Sequence, residues 1–185
     1  MAFTAQDVKK LREMTSVGMM DCKKALQATD GDMDAAIDWL REKGLAKAAK
    51  KADRIAAEGV AYATVIDGVG VVIEVNSETD FAAKTDAFMD LVKNLAQVVA
   101  EQNPADVEAL KACTYPNSNL TVTEIMQEKV MSIGENMVIR RFDRFAENVS
   151  VAYVHAGGTH GVLVNLAVEG DIDATEIGKN VAMQI

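Results

Sequence analysis

The spacing of apolar positions changes character along the chain. Up to residue 44 it is helical. Thr4 stands where it can cap a helix carrying Val8, Leu11 and Met14, and a second helix from about Asp21 puts Cys22, Ala25 and Leu26 on one side. In the third, Asp32 occupies the N-cap position, Met33, Ala36, Ile37 and Leu40 repeat at i, i+3, i+4 and i+7, and Gly44 stands at the expected stop. After Gly59 the period drops to two, and the runs 60–66 and 69–75 flank Asp67-Gly68, a strong hairpin signal. A long helical stripe comes next, with Phe88, Leu91, Val92, Leu95, Val98 and Val99 on one face. Pro104 is placed to start a short helix, the stretch 114–119 is polar and turn-like, and a helix over 122–133 ends at Gly134. Three strands near 137–143, 149–156 and 161–168 and a last helix from about Asp173 complete the pattern.

These elements predict an α+β chain. Residues 1–46 form a minimal three-helix bundle of the ubiquitin-associated type, a scaffold with a small core that usually serves for docking. Residues 47–57, rich in alanine and lysine, form a helical linker. Residues 58–185 form a two-layer core domain of mostly antiparallel sheet with helices, in a first half (58–136) and a second half (137–185).

A chain of 185 residues with 49% hydrophobic content is large enough to bury a core. No run of about eighteen apolar residues offers a membrane span, and the N-terminus has no apolar stretch behind its lysines, so a soluble, unexported protein is expected. Cys22 and Cys113 follow no CxxC or Cys/His ligand spacing, and free thiols fit the cytoplasm. The net charge of −9 divides unevenly: −1 over residues 1–44, +3 over 45–57 and −11 over 58–185. So acidic a body repels phosphate backbones, which argues against nucleic acid as a direct partner and makes the basic segment around Lys47 to Arg54 a solvated face.

No phosphate-cradling GxxxxGK[ST] loop, GxGxxG fingerprint, GxSxG elbow or HExxH helix occurs, and Gly68-Val69-Gly70 lies in a hairpin, so no cofactor is expected. His155 and His160 bracket the turn 156–159 and would supply at most two metal ligands without a third. His155 also continues the face of Val149, Val151 and Tyr153, which makes it an ordinary histidine at a core edge. The segment Asn76-Ser77-Glu78-Thr79-Asp80-Phe81 leaves a strand with two carboxylates and ends on an aromatic ring. If Thr79 or Asp80 caps one long helix, Phe81 joins the stripe two turns before Phe88, and apolar residues at helical spacing usually go to core. If Thr85-Asp86 opens a separate helix, Phe81 projects from a short turn as an exposed wedge.

Several blocks in order carry a resemblance: Ser16-Val17-Gly18-Met19-Met20-Asp21-Cys22-Lys23-Lys24-Ala25-Leu26, Lys47-Ala48-Ala49-Lys50-Lys51-Ala52, and Glu74-Val75 running into Asn76 to Phe81. Ile133-Gly134-Glu135-Asn136-Met137-Val138-Ile139-Arg140-Arg141 comes after them, then Tyr153-Val154-His155 with Gly161-Val162-Leu163-Val164. Together they resemble the elongation factor Ts family, with Ala82 where the family usually has valine and Ala156 in place of a usual glycine. The resemblance implies a guanine-nucleotide exchange factor, not an enzyme, acting on elongation factor Tu in its GDP-bound and nucleotide-free forms. It implies that Asp80 and Phe81 enter near the partner's magnesium site, that Ile133, Gly134 and His155 contact neighbouring parts of its GTPase domain, and that Met19, Met20 and Lys23 dock on one of its helices. Longer family members continue into a further half of the sheet domain, so a short or C-terminally truncated form is implied, and short members can pair as homodimers. A last helix with Ile172, Ile177, Val181 and Ile185 is accordingly expected to expose an apolar face or to self-associate. Two other classes of function fit the residues alone: a protein-binding adaptor built on the bundle, and a metal-dependent enzyme gathering His155, His160 and a carboxylate.

Overall fold

The computed structural model describes residues 3–185. In chain order the elements are α1 (Ala5–Thr15), α2 (Met19–Ala28), α3 (Met33–Lys51), β1 (Glu58–Ile66), β2 (Val69–Ser77), α4 (Asp80–Ala83), α5 (Asp86–Gln102), α6 (Val107–Ala112), α7 (Val122–Ile133), β3 (Met137–Phe145), β4 (Val149–His155), β5 (His160–Leu166) and α8 (Thr175–Ala182). The chain divides into two compact units, one of residues 1–54 with 124–136 and one of residues 55–123 with 137–185.

In the first unit each helix starts on a local device. The Thr4 hydroxyl accepts the Asp7 amide while the Asp7 carboxylate accepts the Thr4 amide at 2.8 Å, a reciprocal cap for α1. The Asp32 carboxylate accepts the Ala35 amide at 2.9 Å and opens α3. No side chain caps α2; the Gly18 carbonyl accepts the amides of Asp21 and Cys22, so this helix begins at Met19, earlier than Asp21, and Met19 and Met20 form its first turn. Helix α3 also departs from expectation, passing through Gly44 to Lys51. Gly44 is buried, and a Cβ built on it would lie 3.4 Å from the Met131 sulfur of α7. The glycine therefore sits inside the helix beside α7, with room for ordinary contact, and does not end it; the alanines and lysines beyond it are good helix formers. Val8, Leu11, Val17, Cys22, Ala25, Leu26, Ala36 and Leu40 make the core, with Met33, Ile37, Trp39 and Met131 packed on it.

The second unit holds two antiparallel sheets, β1-β2-β3 and β4-β5. Asp67 and Gly68 both take positive φ (49° and 83°), the turn whose twist suits a two-residue hairpin, and β1 pairs β2 from Glu58↔Ser77 to Ile66↔Val69. The pairing of β2 with β3 slips between Glu74 and Val75: Glu74 faces Arg141 and Val75 faces Ile139, leaving Arg140 as the extra residue of a bulge. Helix α5 lays its stripe of Phe88, Leu91, Val92, Leu95, Val98 and Val99, all fully buried, against β1 and β2. Each such side chain is worth about 1.5–3 kcal/mol of burial, which makes α5 the anchor of this unit. Helix α6 begins at Val107 and not at Pro104, because Asp106 supplies the cap, its carboxylate accepting the Ala109 amide at 2.8 Å. Helix α8 rests on β4 and β5 through the buried small residues Ala174, Gly178 and Ala182; a Cβ on Gly178 would come within 2.5 Å of a Val151 methyl. Its large apolar residues face outward, with Ile177 and Val181 exposed. The chain is thus α+β, and among the described residues no helix is long and apolar enough to cross a membrane.

Candidate partner-binding site

The segment that leaves β2 builds one helical turn and then stops. Ser77 is fully buried, and its hydroxyl donates to the Thr79 carbonyl at 2.9 Å. Thr79 caps α4, accepting the Ala82 amide at 3.2 Å. The Thr85 hydroxyl then donates to the Ala82 carbonyl at 2.8 Å and accepts the Phe88 amide at 3.3 Å, closing α4 and opening α5 with one side chain. Ala82 and Ala83 are the buried face of this turn, and at about 100° of rotation per residue the preceding side chain is turned away from them. Phe81 is therefore 81% exposed, and the reading that places it in the α5 stripe is corrected: the break at Lys84-Thr85 resets the helical phase between Phe81 and Phe88.

Asp80 opens α4, and its carboxylate accepts the Lys84 ammonium at 2.7 Å, one turn on. That bond holds the Asp80 pKa below the usual carboxylate value. The turn thus presents an uncovered aromatic ring beside a carboxylate kept ionised.

Behind the turn lies a polar network that the periodicity does not reveal. Asn76, buried, donates to the Glu58 carbonyl at 3.0 Å, and its own side-chain oxygen accepts Arg140 Nε at 3.0 Å. Arg140 also reaches the Ala56 carbonyl at 3.5 Å, and the neighbouring Arg141 pairs with Glu74 at 2.8 Å. The one sequence signal is the doublet Arg140-Arg141 inside a strand, two exposed residues in succession where alternation calls for one; the bulge is its cause.

His155 ends β4 and is exposed, directly opposite His160 in the hairpin register, with ring centroids 6.2 Å apart. Its Nδ1 lies 2.7 Å from the hydroxyl of Tyr153, two residues back on the same strand face, and the Thr159 hydroxyl lies 3.0 Å from His160 Nδ1. The turn between the histidines is held to β1 by a bond from the Ala61 amide to the Gly158 carbonyl at 2.8 Å. Among the described residues no group of three or more His, Cys, Asp and Glu side chains gathers where it could hold a metal ion. Cys22 is buried, and burial pushes its thiol pKa up, away from nucleophilic use.

The remaining candidates lie in the helical unit. Met19, Met20 and Lys23 are all exposed on α2, Met19 and Met20 in its first turn, while Cys22, Ala25 and Leu26 are buried. Ile133 closes α7, and Gly134, at φ 93°, ends it by donating its amide to the Val130 carbonyl at 3.1 Å while its own carbonyl accepts the Lys51 ammonium.

A family model described as Elongation factor TS matches residues 78–185, more than half of the chain and including α4 and the β4–β5 hairpin. Elongation factor Ts of Magnetococcus marinus is 47% identical over 188 aligned residues, which cover 100% of this chain and 62% of that relative. The chain thus spans less than two thirds of the relative's length. With the match extending unbroken from the strand-to-helix turn through the last helix, and the full chain aligned to a curated relative at that identity, this chain belongs to the elongation factor Ts family.

Proposed function

We propose that this chain is a guanine-nucleotide exchange factor that speeds release of GDP from elongation factor Tu during translation elongation. The observation that carries the reading is Phe81, a large apolar side chain 81% exposed on a turn fixed at both ends by threonine hydroxyls. Exposed aromatic rings on rigid turns are costly to leave in water and suited to insertion into a partner. The physics is linkage: a factor that binds nucleotide-free partner more tightly than nucleotide-bound partner lowers nucleotide affinity by the same ratio.

In this mechanism Phe81 and Asp80 enter beside the partner's magnesium site. Magnesium holds the nucleotide phosphates through near-octahedral oxygen geometry, so displacement of its supporting shell loosens ion and phosphates together. His155, Ile133 and Gly134 contact neighbouring parts of the GTPase domain and disturb the phosphate loop, whose amides hold the anion. Met19, Met20 and Lys23 dock the N-terminal bundle on a helix of the same domain. On this reading the chain works in the cytoplasm, forms no covalent intermediate and needs no cofactor. The outward apolar face of α8 supports self-association as a further property.

The test is release of fluorescent GDP from elongation factor Tu with and without the chain. Acceleration that saturates with chain concentration supports the proposal. Binding without acceleration turns the chain into an adaptor, and no binding removes elongation factor Tu as its partner.

A further inference from the structure

We infer that Arg140 is a positioning residue for the Phe81 turn, acting through Asn76; the functional half of this inference rests on the exchange reading above. The β3 bulge is what makes the contact possible. With regular pairing Arg140 would face a residue of β2 and alternate with its neighbours, but the slip between Glu74 and Val75 leaves it outside the register and lets Nε reach the Asn76 side-chain oxygen at 3.0 Å. Asn76 is only 6% exposed, so its amide group must be satisfied within the protein, and it is: the oxygen by Arg140 and the nitrogen by the Glu58 carbonyl at 3.0 Å. Arg140 adds a 3.5 Å contact to the Ala56 carbonyl. One guanidinium and one amide thus tie together the entry of β1, the end of β2 and the bulged part of β3.

The residues after Asn76 carry this restraint to the exposed ring. Ser77, fully buried, donates to the Thr79 carbonyl, and Thr79 caps the single turn that bears Phe81. Three residues separate Asn76 from that turn, and the bonds of Ser77 and Thr79 join them to it, so a restraint on Asn76 bears on the orientation of α4 and Arg140 acts on the turn through Asn76. A ring that acts as a wedge needs a fixed base, because misplacement by about 1 Å is enough to lose most of a positioned group's effect.

The test compares wild type with Arg140→Met, which keeps the aliphatic stem and removes the donors, and with Arg140→Lys, whose ammonium can still reach the Asn76 oxygen. Amide hydrogen exchange on the chain alone is expected to speed up about tenfold at Ala82, Ala83 and Lys84 in Arg140→Met, the size expected when a hydrogen bond to a charged group is lost, while Leu91 to Val99 of α5 keep their protection. With elongation factor Tu, Arg140→Met is expected to lower the maximal GDP release rate about tenfold and to shift the half-saturating concentration by less than about threefold, because docking contacts elsewhere are retained. Arg140→Lys should recover part of both effects. Unchanged exchange at Ala82 to Lys84 would overturn the inference, as would protection lost evenly through α5 or a loss of affinity with full maximal rate. The hydrogen-exchange arm involves no partner, so it stands or falls separately from the exchange function, which the wild-type release curve tests.

Discussion

Phe81 and Phe88 are seven residues apart, two helical turns in an unbroken helix, yet Phe81 is 81% exposed and Phe88 is 0% exposed. Thr85 separates them: its hydroxyl donates to a carbonyl of one helix and accepts an amide from the first turn of the next. The same residue type therefore has opposite duties on the two sides of the break. Phe88→Ala is expected to cost about 3–5 kcal/mol, as truncation of a buried aromatic does, and to lower every activity together with folding. Denaturant unfolding measures it, and a loss below about 1 kcal/mol would mean that α5 is not the anchor of the sheet unit.

Gly44→Ala is expected to stabilise the helical unit by about 0.5–1 kcal/mol, the usual gain for alanine over glycine inside a helix. The added methyl would meet the flexible end of Met131 at 3.4 Å and nothing closer. Thermal unfolding checks it. A destabilised variant would show that contact with α7 at this point has no room for a methyl group.

Asp80 is held ionised by Lys84, and the direction of its pH dependence is set by that bond. A carboxyl whose folded pKa is depressed contributes stability above the ordinary carboxylate range, and the contribution is lost as pH falls through the lowered folded value. The pair is solvent-exposed, so its effect on overall stability is small and screened by salt. The observable is the titration of Asp80 itself, followed by carboxyl-carbon NMR: its midpoint should lie below that of an ordinary aspartate and rise in Lys84→Ala. A midpoint that does not move would show that the ion pair does not persist in solution.

Much of the fold is legible in the sequence because local chemistry and periodicity agree. Asp67-Gly68 marks the hairpin, Thr4 and Asp32 start their helices, and the α7 limits follow the apolar pattern from Val122 to Ile133. Gly44 reads wrongly as a stop because a glycine alone does not say whether a helix ends there, and the good helix formers after it carry α3 on to Lys51. For Phe81 the periodicity points to the core and the caps point outward, and the caps prevail, since hydrogen bonds at Thr79 and Thr85 decide where a helix begins. The network of Arg140 with Asn76 is not legible as a network: it depends on a bulge, and the arginine doublet alone does not say where either side chain goes.

The outer face of α8 carries Ile177 at 59% and Val181 at 42% exposure, while its small residues take the inner face. The chain is therefore expected either to sediment as a dimer or to bind an apolar dye, and Ile177→Lys with Val181→Lys should weaken whichever is seen without unfolding the sheet unit. Sedimentation of the wild type as a monomer that binds no dye would contradict this.

One preparation of Phe81→Ala, carried through melting, affinity for elongation factor Tu and release of fluorescent GDP, tests the wedge most directly. Stability should change by about 0.5 kcal/mol or less, as for an exposed side chain. Affinity should survive in part through α2 and the β4–β5 hairpin, while GDP release at saturation slows markedly because the coupling between partner and nucleotide shrinks. A badly destabilised variant, or a stable one that releases GDP as fast as wild type, would contradict the claim that the exposed Phe81 ring is the wedge.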